Sequence, residues 1–234
     1  MWRWSARADD IIYIVTKNPE LSGVLVIGSQ RLQAALLIDP ASESPLTMEE
    51  QAVLIEVFCL NRGEDGGRAV QLKSFAAAGL ETTGLDNGER VTFIKADLPQ
   101  PLLGLDNPTF DLLGAQIGLV IHAAWLFNFN LALSSFRPQL AGLLNLLTLT
   151  GSASARFVFI SSIAAVEGNT SGPAPEEVLD NLDTPAAFGY GRAKFVAELL
   201  VDAAAQHLGS NLPATIIRAG QVAGPVQRRG AMEP

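Results

Sequence analysis

Residues 117–124 read IGLVIHAA, an apolar run that closes on one polar and two small residues. A strand covered on one side only alternates apolar with polar, so an unbroken short run indicates a strand buried on both faces. Four further runs share this texture: EVFCLNR at 56–62, VTFIKADL at 91–98, RFVFISS at 156–162 and PATIIRAG at 213–220. Between them lie longer stretches with leucine and alanine at helical spacing. FRPQLAGLLNLLTLTGS at 136–152 closes near Gly151, and YGRAKFVAELLVDAAAQHLG at 190–209 closes at Gly209. Strands alternating with crossover helices predict an α/β protein with a doubly wound parallel sheet, whose ligands sit beyond the carboxyl ends of the strands.

The rest of the sequence is less regular. EGNTSGPAPEEVLDNLDTPAA at 167–187 has no period and reads as a long loop above the sheet. The first fifty residues, with ADDIIYIV and GVLVIGSQRLQAALLIDP, read as short strands of a small α+β appendage. A capped helix is expected to open at Thr47.

Composition narrows the function. At 234 residues and 48% hydrophobic, the chain suits one well-buried domain, with room for a small appendage. A net charge of −8 repels phosphate backbones and acidic lipid, so neither nucleic acid nor membrane is an expected partner. The single Cys59 lies in an apolar run and suits a reducing compartment, MWRWSARADD has no signal-peptide core, and a soluble cytoplasmic protein is expected. His122 and His207 are far apart and no zinc-type spacing occurs, so no metal site is expected.

Tyr190 and Lys194 stand four residues apart on one helical face, so their polar tips can serve one ligand. An ammonium beside a phenol is expected to lower its pKa and make it a better proton donor. The preceding strand ends in Ser161 and Ser162, whose hydroxyls could reach the same carbonyl oxygen. The competing reading is a solvated Tyr and Lys, with a serine pair that only caps the next turn.

In order along the chain, VFCLNR, VTFIKADL, VIHAAW, FVFISSIAAVEG, GYGRAKFVAELL and IIRAGQVAGPV resemble the terminal thioester reductase domains of carboxylic acid reductases and fungal NRPS-like synthetases. These belong to the extended short-chain dehydrogenase/reductase superfamily, with a Rossmann-like sheet. The resemblance implies NADPH as cofactor and, as substrate, an acyl thioester on a phosphopantetheine carrier protein, released as aldehyde or alcohol. It makes Tyr190 the proton donor, Lys194 its partner on the nicotinamide ribose, and Ser162 the hydroxyl that orients the substrate oxygen, with Ser161 a neighbouring candidate at the cofactor. Arg62 would meet the 2′-phosphate, against a reading as a solvated loop arginine. Asp97, with Leu98 beside it, would face the adenine edge, against a helix-cap reading. His122, Ala123 and Ala124 would line the cofactor cleft, with His122 a hydrogen-bonded strand-end histidine rather than a catalyst.

Residues 7–40 resemble the carboxyl-terminal subdomain of adenylate-forming enzymes. The expected division is therefore 1–46, a remnant of that subdomain, and 47–234, a truncated NAD(P)-binding thioester reductase domain. The first βα unit, with its Gly-x-x-Gly-x-x-Gly turn, belongs directly before VFCLNR, where TMEEQAVLIE at 47–56 has no glycine. Its loss would open a gap in the sheet and remove the pyrophosphate site, leaving activity in doubt. GVLVIG at 23–28, turning at Gly28, or RGEDGG at 62–67 are less favoured substitutes. Two alternatives to the thioester reductase follow: an inactive Rossmann-like fragment, or a reductase of free carbonyl compounds from the same superfamily.

Overall fold

A computed structural model of the chain describes residues 23–27, 56–78, 91–170, 172–207 and 212–220. Six strands form one parallel sheet: β1 (Gly23–Ile27), β2 (Glu56–Asn61), β3 (Val91–Lys95), β4 (Leu119–His122), β5 (Arg156–Ser162) and β6 (Ala214–Ala219). Their order is β3-β2-β1-β4-β5-β6. Among the described residues the α-helices are α1 (Arg68–Ala78), α2 (Asn107–Gln116), α3 (Arg137–Ser152) and α4 (Gly189–His207). The doubly wound α/β architecture is thus present, with strand bounds inside or equal to the five expected runs.

The expected gap at the centre of the sheet is not there. GVLVI forms β1 and pairs in parallel with β2, Leu25 opposite Phe58, and with β4, Leu25 opposite Val120. An isolated five-residue apolar run does not reveal its partner, and two ladders of backbone hydrogen bonds decide it here. The sheet therefore crosses the expected division between residues 46 and 47, and 23–27 is a central strand rather than part of a separate hairpin. Gly28, the helix expected from Thr47, the strand expected in ADDIIYIV, His207 as a side chain and Gly209 lie outside the described residues.

Period-two alternation supplies both faces of the core. Phe58 and Leu60 of β2 join the larger cluster with Phe157 and Phe159 of β5, packed under Leu143, Leu146 and Leu147 of α3 and Ala193, Ala197 and Val201 of α4. Val57 and Cys59 point the other way, to Phe75, Val91, Leu119, Ile121 and Ile160. Burying each large apolar side chain contributes about 1.5–3 kcal/mol. The Cys59 thiol is pushed up to about 12 by burial, so it stays protonated at neutral pH.

Local signals fix the ends of the elements that frame the site. Asp106 caps α2 by accepting from the Thr109 amide at 2.8 Å. Helix α3 runs one residue past Gly151, and the reversal falls at Ser154, with φ 52°. Asn145 of α3 donates to the carbonyls of Leu98 and Gln100 at 2.8 and 2.9 Å, which holds the segment after β3 in place. Among the described residues no helix is long and apolar enough to cross a membrane.

Candidate active site at the carboxyl ends of the strands

Tyr190 is the second residue of α4 and sits 7% exposed at the edge of the core. A Cβ on Gly189 would stand 2.1 Å from the Leu131 carbonyl oxygen, so only glycine lets the helix start this close to that segment. Edge-on rings surround the phenol: Phe127 at 5.5 Å, Phe129 at 5.2 Å and Phe136 at 6.3 Å. Phe127 and Phe129 are themselves about half exposed, so one side of the tyrosine faces an open aromatic wall. Burial pushes the Tyr190 pKa up, and a hydrogen bond with the Ser162 hydroxyl opposes that rise. The net direction is opposite to the lowering expected from Lys194, because desolvation outweighs the Ser162 hydrogen bond.

One turn along, the Lys194 side chain points inward rather than into solvent. Its Nζ donates to the Ile160 carbonyl at 2.6 Å and lies over the rings of Trp125 and Phe159, 4.4 and 4.7 Å from their centroids. The Tyr190 ring centroid is 5.9 Å away. Burial lowers the Lys194 pKa to about 7, and the nearby Glu198 charge resists that fall. Burial thus brings the ammonium and the neutral amine close in free energy near neutral pH.

The two serines at the end of β5 part company. Ser162 Oγ accepts from the Ala164 amide at 3.2 Å, the capping contact of the bland reading, and also meets the phenol. Ser161 turns to α4, where its hydroxyl donates to Glu198 Oε1 at 2.5 Å. Glu198, 1% exposed, is also gripped by Arg218 of β6. Neither Glu198 nor Arg218 is among the candidate residues that the sequence motifs single out. The signals were present: Glu198 is one turn from Lys194 on the same face, and Arg218 interrupts an apolar strand.

At the other end of the sheet, β2 and β3 open on a pocket of about 700 Å³ lined by Arg62, Lys95, Asp97, Pro99 and Gly104. Arg62 Nε lies 3.4 Å from Asp97 Oδ1, and Lys95 Nζ lies 2.6 Å from Glu64 Oε1. All four charges are largely exposed, and such pairs contribute at most about 1 kcal/mol. Asp97 caps no helix here, and Leu98 is half-buried behind it. The RGEDGG turn is not an open phosphate cradle. Asp65 already accepts from the Gly67 and Ala69 amides at 2.9 and 2.8 Å, and Gly66, at φ +65°, packs 2.4 Å from the Ile94 nitrogen at the position of a Cβ.

His122 ends β4 and is 1% exposed, boxed by Trp125, Phe157 and Phe159. Neither ring nitrogen has a hydrogen-bond partner among the described residues, so the expected hydrogen-bonded histidine is not what is found. Burial, and secondarily the Lys194 charge, lowers its pKa to about 3 and keeps it neutral. Ala123 and Ala124 follow half-buried, leaving small side chains at the strand end.

A parallel sheet of this order, with Tyr190, Lys194 and Ser162 gathered where β5 gives way to α4, is the arrangement of an NAD(P)-binding domain of the short-chain dehydrogenase/reductase kind. The chain belongs to the family described as male sterility protein, which it matches over residues 46–234. That match starts after β1. Over 211 residues the chain is 35% identical to a carboxylic acid reductase of Neurospora crassa, covering 88% of this chain and 19% of that protein. Over 197 residues it is 36% identical to the adenylate-forming reductase Nps11 of Serpula lacrymans, covering 80% and 17% respectively. It thus spans under a fifth of the length of these relatives. Among solved structures, the terminal R domain of the myxalamid PKS-NRPS pathway shares the fold with a TM-score of 0.68 at 23% identity, over 86% of this chain and 49% of that one. The reductase domain of a non-ribosomal peptide synthetase from Mycobacterium tuberculosis does so with a TM-score of 0.59 at 21% identity, over 92% and 52%.

Proposed function

We propose that this chain carries the nucleotide-binding and proton-donating part of an NADPH-dependent reductase that releases an acyl thioester from a phosphopantetheine carrier as an aldehyde or alcohol. The observation that carries the reading is the hydrogen bond between the Tyr190 phenol and the Ser162 hydroxyl, with Lys194 Nζ 5.9 Å from the tyrosine ring centroid. The relatives named carboxylic acid reductase and adenylate-forming reductase support the thioester as substrate.

The residues present fit the cofactor. Arg62 and Lys95 are exposed cations at the carboxyl ends of β2 and β3, where this fold receives the adenosine half of a dinucleotide. Their weak pairs with Asp97 and Glu64 can be exchanged for charge-assisted bonds to a 2′-phosphate. Ala123 and Ala124 leave room at the end of β4, beside the central strand β1. When bound, the reduced nicotinamide supplies the hydride.

The chain's own residues manage the proton. Ser162 donates a hydrogen bond that orients the thioester carbonyl. Tyr190 gives its phenolic proton to that oxygen as negative charge builds there. A Lys194 ammonium beside the phenol stabilises the phenolate left behind, and the half-exposed Phe127 and Phe129 keep water from one side of the ring. Collapse of the resulting hemithioacetal breaks the C–S bond, the thiol leaves with a proton, and an aldehyde remains.

The direct test is NADPH oxidation in the presence of an acyl-pantetheine thioester, beside free aldehydes and ketones as substrates. Thioester-dependent oxidation is expected. Turnover of free ketones without thioester turnover would replace this reading by a free carbonyl reductase.

A further inference from the structure

Arg218 lies opposite Ser161 in the β5–β6 register, and both residues converge on Glu198 of α4. Its Nε donates to both carboxylate oxygens at 3.1 Å and its Nη2 to Oε2 at 2.7 Å. The rest of the guanidinium is spent on a different segment. Nη1 donates to the Pro175 carbonyl at 3.0 Å and Nη2 to the Glu177 carbonyl at 2.8 Å. One planar fork therefore joins β6, the catalytic helix and the middle of the connection that runs from Ser162 to Tyr190.

Among the described residues, the middle of that connection is otherwise held by Asn169 Nδ2, which donates to the Gly172 carbonyl at 3.2 Å. Residues 172–177 are exposed, so apolar burial contributes almost nothing there. Its last part is secured by other means: Gly168 donates to Thr184 at 2.8 Å, and Ala186 to Ala164 at 2.9 Å. The arginine ties down the stretch between those anchors. Glu198 cannot serve the same purpose alone, because a carboxylate offers nothing to a carbonyl. Lysine could keep the ion pair, but a single nitrogen cannot span a carboxylate and two carbonyls with the same planar geometry.

Building on the reading of Tyr190 and Ser162 as the thioester site, we propose that Arg218 is a positioning residue that, braced by Glu198, clasps the 172–177 stretch to the back of the catalytic helix and so holds the wall of the acyl-thioester site. It touches no reacting atom. Its effect falls on substrate affinity, because the segment it restrains leads into Phe188 and Tyr190, while the nucleotide pocket at β2 and β3 lies across the sheet.

The test uses the full chain, with Arg218→Met and Arg218→Lys, read by amide hydrogen exchange and by steady-state kinetics with an acyl-pantetheine thioester. Exchange at residues 172–183 should quicken about tenfold in Arg218→Met, while α3 keeps its protection. KM for the thioester should rise about tenfold with kcat within about twofold, and NADPH affinity should hold. Arg218→Lys retains the bond to Glu198 and should fold as the parent does, yet still loosen 172–183. Unchanged exchange there in both variants would overturn the proposal, as would a fall in kcat with KM unchanged. If the parent chain reduces no thioester, the functional reading fails, and the exchange experiment still decides whether the clasp exists.

Discussion

Lys194 Nζ donates a 2.6 Å hydrogen bond to the carbonyl of Ile160, which pins α4 to the strand that ends in Ser161 and Ser162. Because the nitrogen sits against Trp125 and Phe159 rather than in water, burial brings its pKa down to about 7. An unfolded lysine holds its proton up to about 10.4. Between about pH 7 and that value the unfolded chain binds the extra proton, so stability rises with pH across this window. Below about pH 7 both states are protonated and the contribution is flat.

Melting temperature followed from pH 7 to about 7.8 reads this effect most cleanly, since Cys59 and Tyr190, with raised folded values, weaken stability only as pH nears their unfolded values of about 8.5 and about 10. The parent chain should gain stability over that range. Lys194→Met, which removes the buried charge, should flatten the slope.

Tyr190→Phe keeps the ring among Phe127, Phe129 and Phe136 and removes only the hydroxyl. Thioester reduction should fall by about 10²–10⁴ with NADPH affinity and melting temperature close to the parent's. Equal loss of fold and activity would mean that the hydroxyl is structural.

Arg62→Ala should weaken NADPH binding by about tenfold or more while leaving NADH binding nearly unchanged, as expected for a lost charge-assisted bond to the 2′-phosphate. Lys95→Ala should act in the same direction. Raising the salt concentration should erode the preference for NADPH in the parent more than in either variant.

Leu25→Pro removes an N–H from a strand bonded on both sides, by β2 and β4. A loss of about 3 kcal/mol or more is expected, measured by denaturant unfolding. A neutral outcome would mean that β1 is not the central strand.

Five of the six strands were legible because each announces itself by an apolar run followed by a small or polar residue. GVLVI has the same texture, yet its place depends on ladders to residues 56–60 and 119–122, which no local period encodes. Its neighbours in sequence point to a hairpin, whereas its neighbours in space make it a central strand. The same limit governs the site. Tyr190 and Lys194 are a local pair at helical spacing, whereas Glu198 and Arg218 meet only through the register that sets Ser161 beside Arg218. His122 shows the converse: a strand-end histidine suggests a bonded side chain, yet among the described residues its nitrogens meet no partner, and the aromatic packing around it arises from three separate positions.

The measurement that bears most directly on a complete nucleotide-binding sheet is titration of the folded chain with NADPH, followed by nicotinamide fluorescence. The structure predicts saturable binding in the micromolar range, because β1 fills the centre of the sheet and Arg62 and Lys95 stand at the pocket rim. Absence of binding by a chain that melts cooperatively would contradict it, and Tyr190 and Lys194 would then have no cofactor to serve.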